Sequence, residues 1–202
     1  MKPNPPHEIS AKVDSYKCFA DLQAGEARGK DYELDVRFRT GARVAVVAPH
    51  GGGIEPKTAE VAEAIAGTEF SLYCFKGLKA KGNSRLHITS HKFDEPECLA
   101  LLERHEWVLA IHGCAEPGER VLLGGLDKPL IADLSTALET SGMNAETSGH
   151  GYVGEHPHNL CNRGARGVGA QFELSLPFRC GNRVPLFVKA VRNVLAARQN
   201  AA

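Results

Sequence analysis

Apolar residues in this chain come in short runs, each closed by glycine, proline or a change of period, and the runs place most of the elements. Tyr32 to Arg39 alternates apolar and polar positions as a half-buried strand does, and Thr40-Gly41 offers a turn that would fold it as a hairpin onto the next strand at 43–49. That strand contains Val44-Ala45-Val46-Val47-Ala48, an unbroken apolar run that suits burial on both faces. Residues 57–66 are helix formers ending before Gly67, a suitable C-cap. Phe70 to Phe75 and Trp107-Val108-Leu109-Ala110-Ile111 read as further strands, and 95–105 and 127–140 as helices. From Val168 to Leu176 apolar residues alternate with Gly169, Gln171, Glu173 and Ser175, a period of two that separates an apolar face from a polar one. Apolar positions at helical spacing across 183–200 predict a closing amphipathic helix.

Strands alternating with helices predict the α/β class: one domain spanning 1–202, with a mixed, mostly parallel sheet and helices on both faces. A chain of 202 residues is long enough to bury one substantial core. Residues 1–30 are polar and read as an irregular N-terminal segment; residues 141–167, glycine-rich and without periodicity, are expected to wall a site. Lys plus Arg and Asp plus Glu both number 24, so the charge balance gives no support for nucleic acid or membrane as a partner. No signal-like segment follows Met1 and none of the six cysteines forms a CxxC pair, so the expectation is synthesis in the cytoplasm with reduced thiols, release by lysis being left open. Oligomeric state is not indicated, and a monomer is compatible with the composition.

The candidate chemistry gathers where strands end. The 43–49 strand runs into Pro49-His50-Gly51-Gly52-Gly53-Ile54-Glu55, and His112 follows the run at 107–111. Two imidazoles and a carboxylate at strand ends form the protein ligand set of a catalytic zinc that keeps one position open. The plainer reading is a strand-end histidine followed by a glycine turn. Glu173, held mid-strand between polar neighbours, is a candidate proton carrier, unless its strand is an edge with one wet face. Cys114 beside His112 and Cys161 beside Asn162 raise a Cys–His hydrolase as a further alternative, one that would leave Glu173 without a task.

Several spaced segments carry a more specific signal: His50-Gly-Gly-Gly-Ile-Glu55, Leu86-His87-Ile88-Thr89-Ser90-His91-Lys92-Phe93-Asp94-Glu95-Pro96, Ile111-His112-Gly113, Cys161-Asn162-Arg163-Gly164 and Gln171-Phe172-Glu173-Leu174-Ser175. In this order, over about residues 30–200, the chain resembles the phage-type poly-γ-glutamate hydrolases, a family related in fold to zinc carboxypeptidases and to the succinylglutamate desuccinylase/aspartoacylase group. The resemblance implies a zinc carboxypeptidase-like fold, one Zn2+ on His50, Glu55 and His112, and Glu173 as general base and later general acid. The step of five residues from His50 to Glu55, where carboxypeptidases have three, fits the γ-glutamate branch better.

The implied substrate, poly-γ-glutamate, keeps a free α-carboxylate beside every scissile amide, and arginine binds carboxylates through paired donors. Arg163 is therefore expected to hold a substrate carboxylate or the developing oxyanion, with Asn162, Arg166, Arg85 and His87 as substrate-binding candidates and Lys92 as a secondary one. His91 is expected to be structural or to line the substrate path, His156 and His158 to come within reach of the cleft, and Tyr152 to face a leaving group. Two other functions stay open: a zinc amidase or deacylase acting on a small N-acyl amino acid, and a polyanion-binding protein without turnover.

Overall fold

The computed structural model describes residues 14–200. Its elements in chain order are α1 (Phe19–Gly25), β1 (Tyr32–Arg37), β2 (Val44–Gly52), α2 (Thr58–Ala66), β3 (Ser71–Gly77), α3 (Pro96–Leu102), β4 (Trp107–Cys114), β5 (Val121–Gly125), α4 (Lys128–Thr140), β6 (Ala170–Ser175), α5 (Leu176–Arg179) and α6 (Val184–Asn200), with short 3-10 turns at Asn83–Leu86 and Leu160–Asn162. The strands form one sheet in the order β1-β3-β2-β4-β6-β5. The inner pairs β3–β2, β2–β4 and β4–β6 are parallel, and the edges β1 and β5 are antiparallel.

Period two divides the sheet between two cores. Val44, Val46 and Ala48 face a layer built with α2, α4 and α6, whereas Ala45 and Val47 face the layer that contains Phe19, Leu22 and Leu101 from α1 and α3. Ala170, Phe172 and Leu174 of β6 join the first core, as their alternation predicts. Helix ends are set by local chemistry. The Glu95 side chain accepts hydrogen bonds from the backbone of Glu97 and Cys98, and Asp127 accepts one from Leu130.

Three expectations need correction. The hairpin through Thr40-Gly41 does not form: β1 pairs with β3 instead, Tyr32 opposite Gly77 and Arg37 opposite Leu72. An apolar run buried on both faces needs a strand on each side, and β2 takes β3 and β4; β1, with Glu33 and Asp35 between its apolar residues, suits an edge. A strand escaped the sequence pattern at Val121–Gly125, five residues ending in two glycines. It covers the outer side of β6, so Glu173 does not lie on an edge. Within the supposedly irregular first 30 residues, α1 forms; residues 1–13 lie outside the described part.

Candidate metal centre

β2 and β4 extend beyond their predicted ends, so His50 and His112 both lie in strands, at the carboxyl end of the parallel sheet where such folds hold ligands. The β2–β3 register shifts between Ala48 and Gly51, next to Pro49, which has no N–H to give the ladder. Gly52 then adopts φ 63°, and a Cβ there would lie 2.4 Å from the Gly77 carbonyl oxygen. The turn closes with the Glu55 N–H donating to the His50 carbonyl at 2.8 Å, while the Thr58 hydroxyl donates to the Glu55 carbonyl at 2.8 Å. This is how a step of five residues returns the carboxylate to its own imidazole.

Glu55 Oε1 lies 3.2 Å from His50 Nδ1, and Glu55 Oε2 lies 3.9 Å from His112 Nδ1 and accepts the Gly113 N–H at 2.8 Å. The two Nδ1 atoms are 3.2 Å apart, and the donor atoms of all three residues fall within 4.8 Å of one another. On the far side of each ring, His50 Nε2 is 2.8 Å from the Ile88 carbonyl and His112 Nε2 is 3.1 Å from the Ser90 hydroxyl. A carbonyl only accepts, so the proton of neutral His50 sits on Nε2 and its Nδ1 lone pair faces Glu55. Outer partners of this kind orient metal-ligating imidazoles.

The electrostatics fit a cation. Burial resists ionisation of Glu55, but the His50 and His112 rings and the Gly113 amide bring its pKa down to about 2. Burial, with His50 adding to it, lowers His112 to about 3, which leaves a neutral donor. Burial also opposes charge on His50, which is 2% exposed, yet Glu55 outweighs it and raises the pKa. A fixed anion and two converging nitrogens favour positive charge where they meet, and the donor types are those of zinc.

Glu173 sits directly opposite His112 in the β4–β6 register and on the same face. Its carboxyl has no hydrogen-bond partner among the described residues, and burial together with Glu55 holds its proton affinity well above that of an ordinary carboxylate. Behind it lies a residue the sequence reading missed. Arg179 is 7% exposed, its Nη1 donates to the Leu174 carbonyl at 2.9 Å, and it fills the space beside Gly113 that any side chain there would need.

A cavity of about 660 Å³ opens over these groups, lined by the three candidate ligands, Glu173, His87, Thr89, Ser90, His91 and Gln171, and by residues 151–156 and Asn159 of the expected wall. His87 stacks on His50 at 4.1 Å between ring centroids and pairs with Asp14 at 3.0 Å. Tyr152 lines the cavity with its pKa pushed up to about 12, first by burial. Asn162 is buried below the wall instead, donating to the Gly154 and His156 carbonyls and accepting from Leu126 and Gly169.

None of the arginines expected to bind substrate lines the cavity. Arg163 reaches the Phe93 carbonyl at 3.4 Å, Arg166 pairs with Asp127 and stacks 3.7 Å over Trp107, and Arg85 lies out at the surface beside Tyr16. Ala165 donates to the His105 carbonyl, which places this stretch at the amino end of β4, opposite the site. The thiols do not suit nucleophilic catalysis either: burial pushes Cys114 up to about 11 and Cys161 higher still.

A family model described as poly-gamma-glutamate hydrolase matches residues 16–200. The UPF0714 protein YndL of Bacillus subtilis (strain 168) is 42% identical over 168 residues, covering 82% of this chain but 66% of YndL. Among solved structures, a bacteriophage poly-gamma-glutamate hydrolase superposes with a TM-score of 0.87 at 29% identity, covering 92% of this chain and 98% of that one. A zinc-free apo form of YndL gives 0.85 at 35% identity, covering 92% and 99%.

Proposed function

The chain belongs to the poly-gamma-glutamate hydrolase family, and on that premise we propose that it is a zinc-dependent hydrolase cleaving the γ-glutamyl amide bonds of poly-γ-glutamate. The observation that carries this reading is the in-register pairing of His112 with Glu173, which sets a carboxyl of raised proton affinity beside the converging Nδ1 atoms of His50 and His112 and the Glu55 carboxylate. That YndL has a zinc-free apo form supports the choice of metal.

His50, Glu55 and His112 would hold the ion through the two Nδ1 atoms and the carboxylate. A zinc ion bound there supplies a Lewis acid for the γ-carbonyl and acidifies water beside it. Glu173 accepts a proton from the attacking water as its oxygen adds to the carbonyl carbon. It then returns that proton to the departing α-nitrogen as the C–N bond breaks, leaving a γ-carboxylate and a free amine. Environments that push the Glu55 and Glu173 carboxyls apart in proton affinity favour ligation by the first and proton transfer by the second.

Chain-length analysis of poly-γ-glutamate tests the reading. The polymer should shorten with the untreated protein, persist after chelation, and shorten again when zinc is restored. Cleavage that survives complete metal removal would overturn the mechanism.

A further inference from the structure

A γ-linked glutamate chain brings one α-carboxylate per residue, yet the cavity lining contains neither lysine nor arginine among the described residues, and it holds the carboxyls of Glu55, Glu155 and Glu173. Imidazoles stand where cationic side chains were expected. His91, before α3, and His156, from the 141–167 wall, are far apart in sequence but meet at the cavity with ring centroids 4.8 Å apart and planes at 32°. The His156–His158 centroid distance is 5.6 Å.

Local bonding leaves these rings free to bind. His156 Nδ1 accepts the His158 backbone N–H at 3.1 Å, so the proton of neutral His156 sits on Nε2, which has no partner among the described residues. The His156 backbone is itself pinned, its carbonyl accepting from the buried Asn162 amide at 3.0 Å. The His91 ring makes no hydrogen bond among the described residues. Nearby charges are largely committed: Lys92 pairs with Asp14 at 3.2 Å, and Glu155 pairs with Lys128 at 2.6 Å.

We infer that His91 and His156 form a carboxylate-binding lip that takes an α-carboxylate of the substrate between their imidazoles while the scissile amide lies over His50, Glu55 and His112. The inference rests on the substrate reading above and adds a specificity determinant to it. Without an anion, partial burial, His156 and Lys92 lower the His91 pKa. A carboxylate between the rings makes protonation favourable, so binding takes up a proton and two charge-assisted hydrogen bonds form. Affinity for the polymer should therefore rise as pH falls through the histidine range.

The test is KM and kcat on poly-γ-glutamate for the zinc-loaded wild type and for His91→Ala/His156→Ala, at about pH 6 and about pH 8. Wild-type KM should increase with pH. The double variant should show KM raised about tenfold at the lower pH, a much flatter pH dependence of KM, and kcat within about twofold of wild type. His156→Lys, which stays charged at both pH values, should keep KM low at the higher one. If the wild type cleaves the polymer while the double variant retains its KM and pH dependence, the lip is refuted and the substrate reading stands. If the zinc-loaded wild type does not shorten the polymer at all, the substrate reading fails and takes the lip with it.

Discussion

Gly113→Ala isolates the contact that holds the floor of the site. Gly113 does not have the left-handed backbone that favours glycine, so the residue is small for reasons of space. A Cβ built there lies 1.4 Å from Arg179 Nη1 and 2.4 Å from its Cζ, and so cannot coexist with the guanidinium. Arg179 ends in a flexible chain and can swing away, but it is almost wholly buried and would lose the 2.9 Å bond from Nη1 to the Leu174 carbonyl. A hydrogen bond from a charged donor is worth about 1.5–3 kcal/mol, so Gly113→Ala should destabilise by about 2 kcal/mol. For a domain of this size that lowers Tm by roughly 4–8 °C.

The measurement should use metal-free protein, because any change in zinc affinity would otherwise add to the difference in unfolding free energy. Urea unfolding of wild type, Gly113→Ala, Arg179→Ala and the double variant completes a double-mutant cycle. If the cost is displacement of Arg179, adding the methyl group in the Arg179→Ala background should cost under about 0.5 kcal/mol. A penalty of the same size in both backgrounds would show that Arg179 is not what requires glycine at 113.

Two further outcomes are expected. Glu173→Gln should retain zinc at wild-type stoichiometry while kcat falls by about 10²–10⁴ (metal analysis and turnover on the same preparation), and substantial residual turnover would remove the residue from proton transfer. Asp14, whose carboxylate is held below its ordinary 3.8 because donors from Thr89, His87 and Lys92 outweigh the opposing effect of burial, contributes stability that is complete above the unfolded pKa and is lost as pH falls through the lower folded one. Asp14→Asn should thus be less stable than wild type at about pH 7, with the gap in urea midpoint closing at about pH 3; a gap independent of pH would contradict this.

What could be read from the sequence follows from what local pattern encodes. His50, Glu55 and His112 were legible because a two-sided apolar run and a glycine turn both mark the carboxyl end of a buried strand. Glu173 was legible because period two fixed its face, although only the β4–β6 register sets it opposite His112. The partner of β1 and the existence of β5 depend on which strands need covering, and that is a property of the assembled sheet. The arginines are the instructive failure. Arg163 and Arg166 are close to Glu173 in sequence, but they precede β6, and residues that precede a strand lie at its amino end. In a parallel sheet whose ligands sit at the carboxyl ends, the cation to seek is one that follows the strand. Arg179 follows β6 by one helical turn and lies behind Gly113 and Glu173, where the direction of the strand requires it to be.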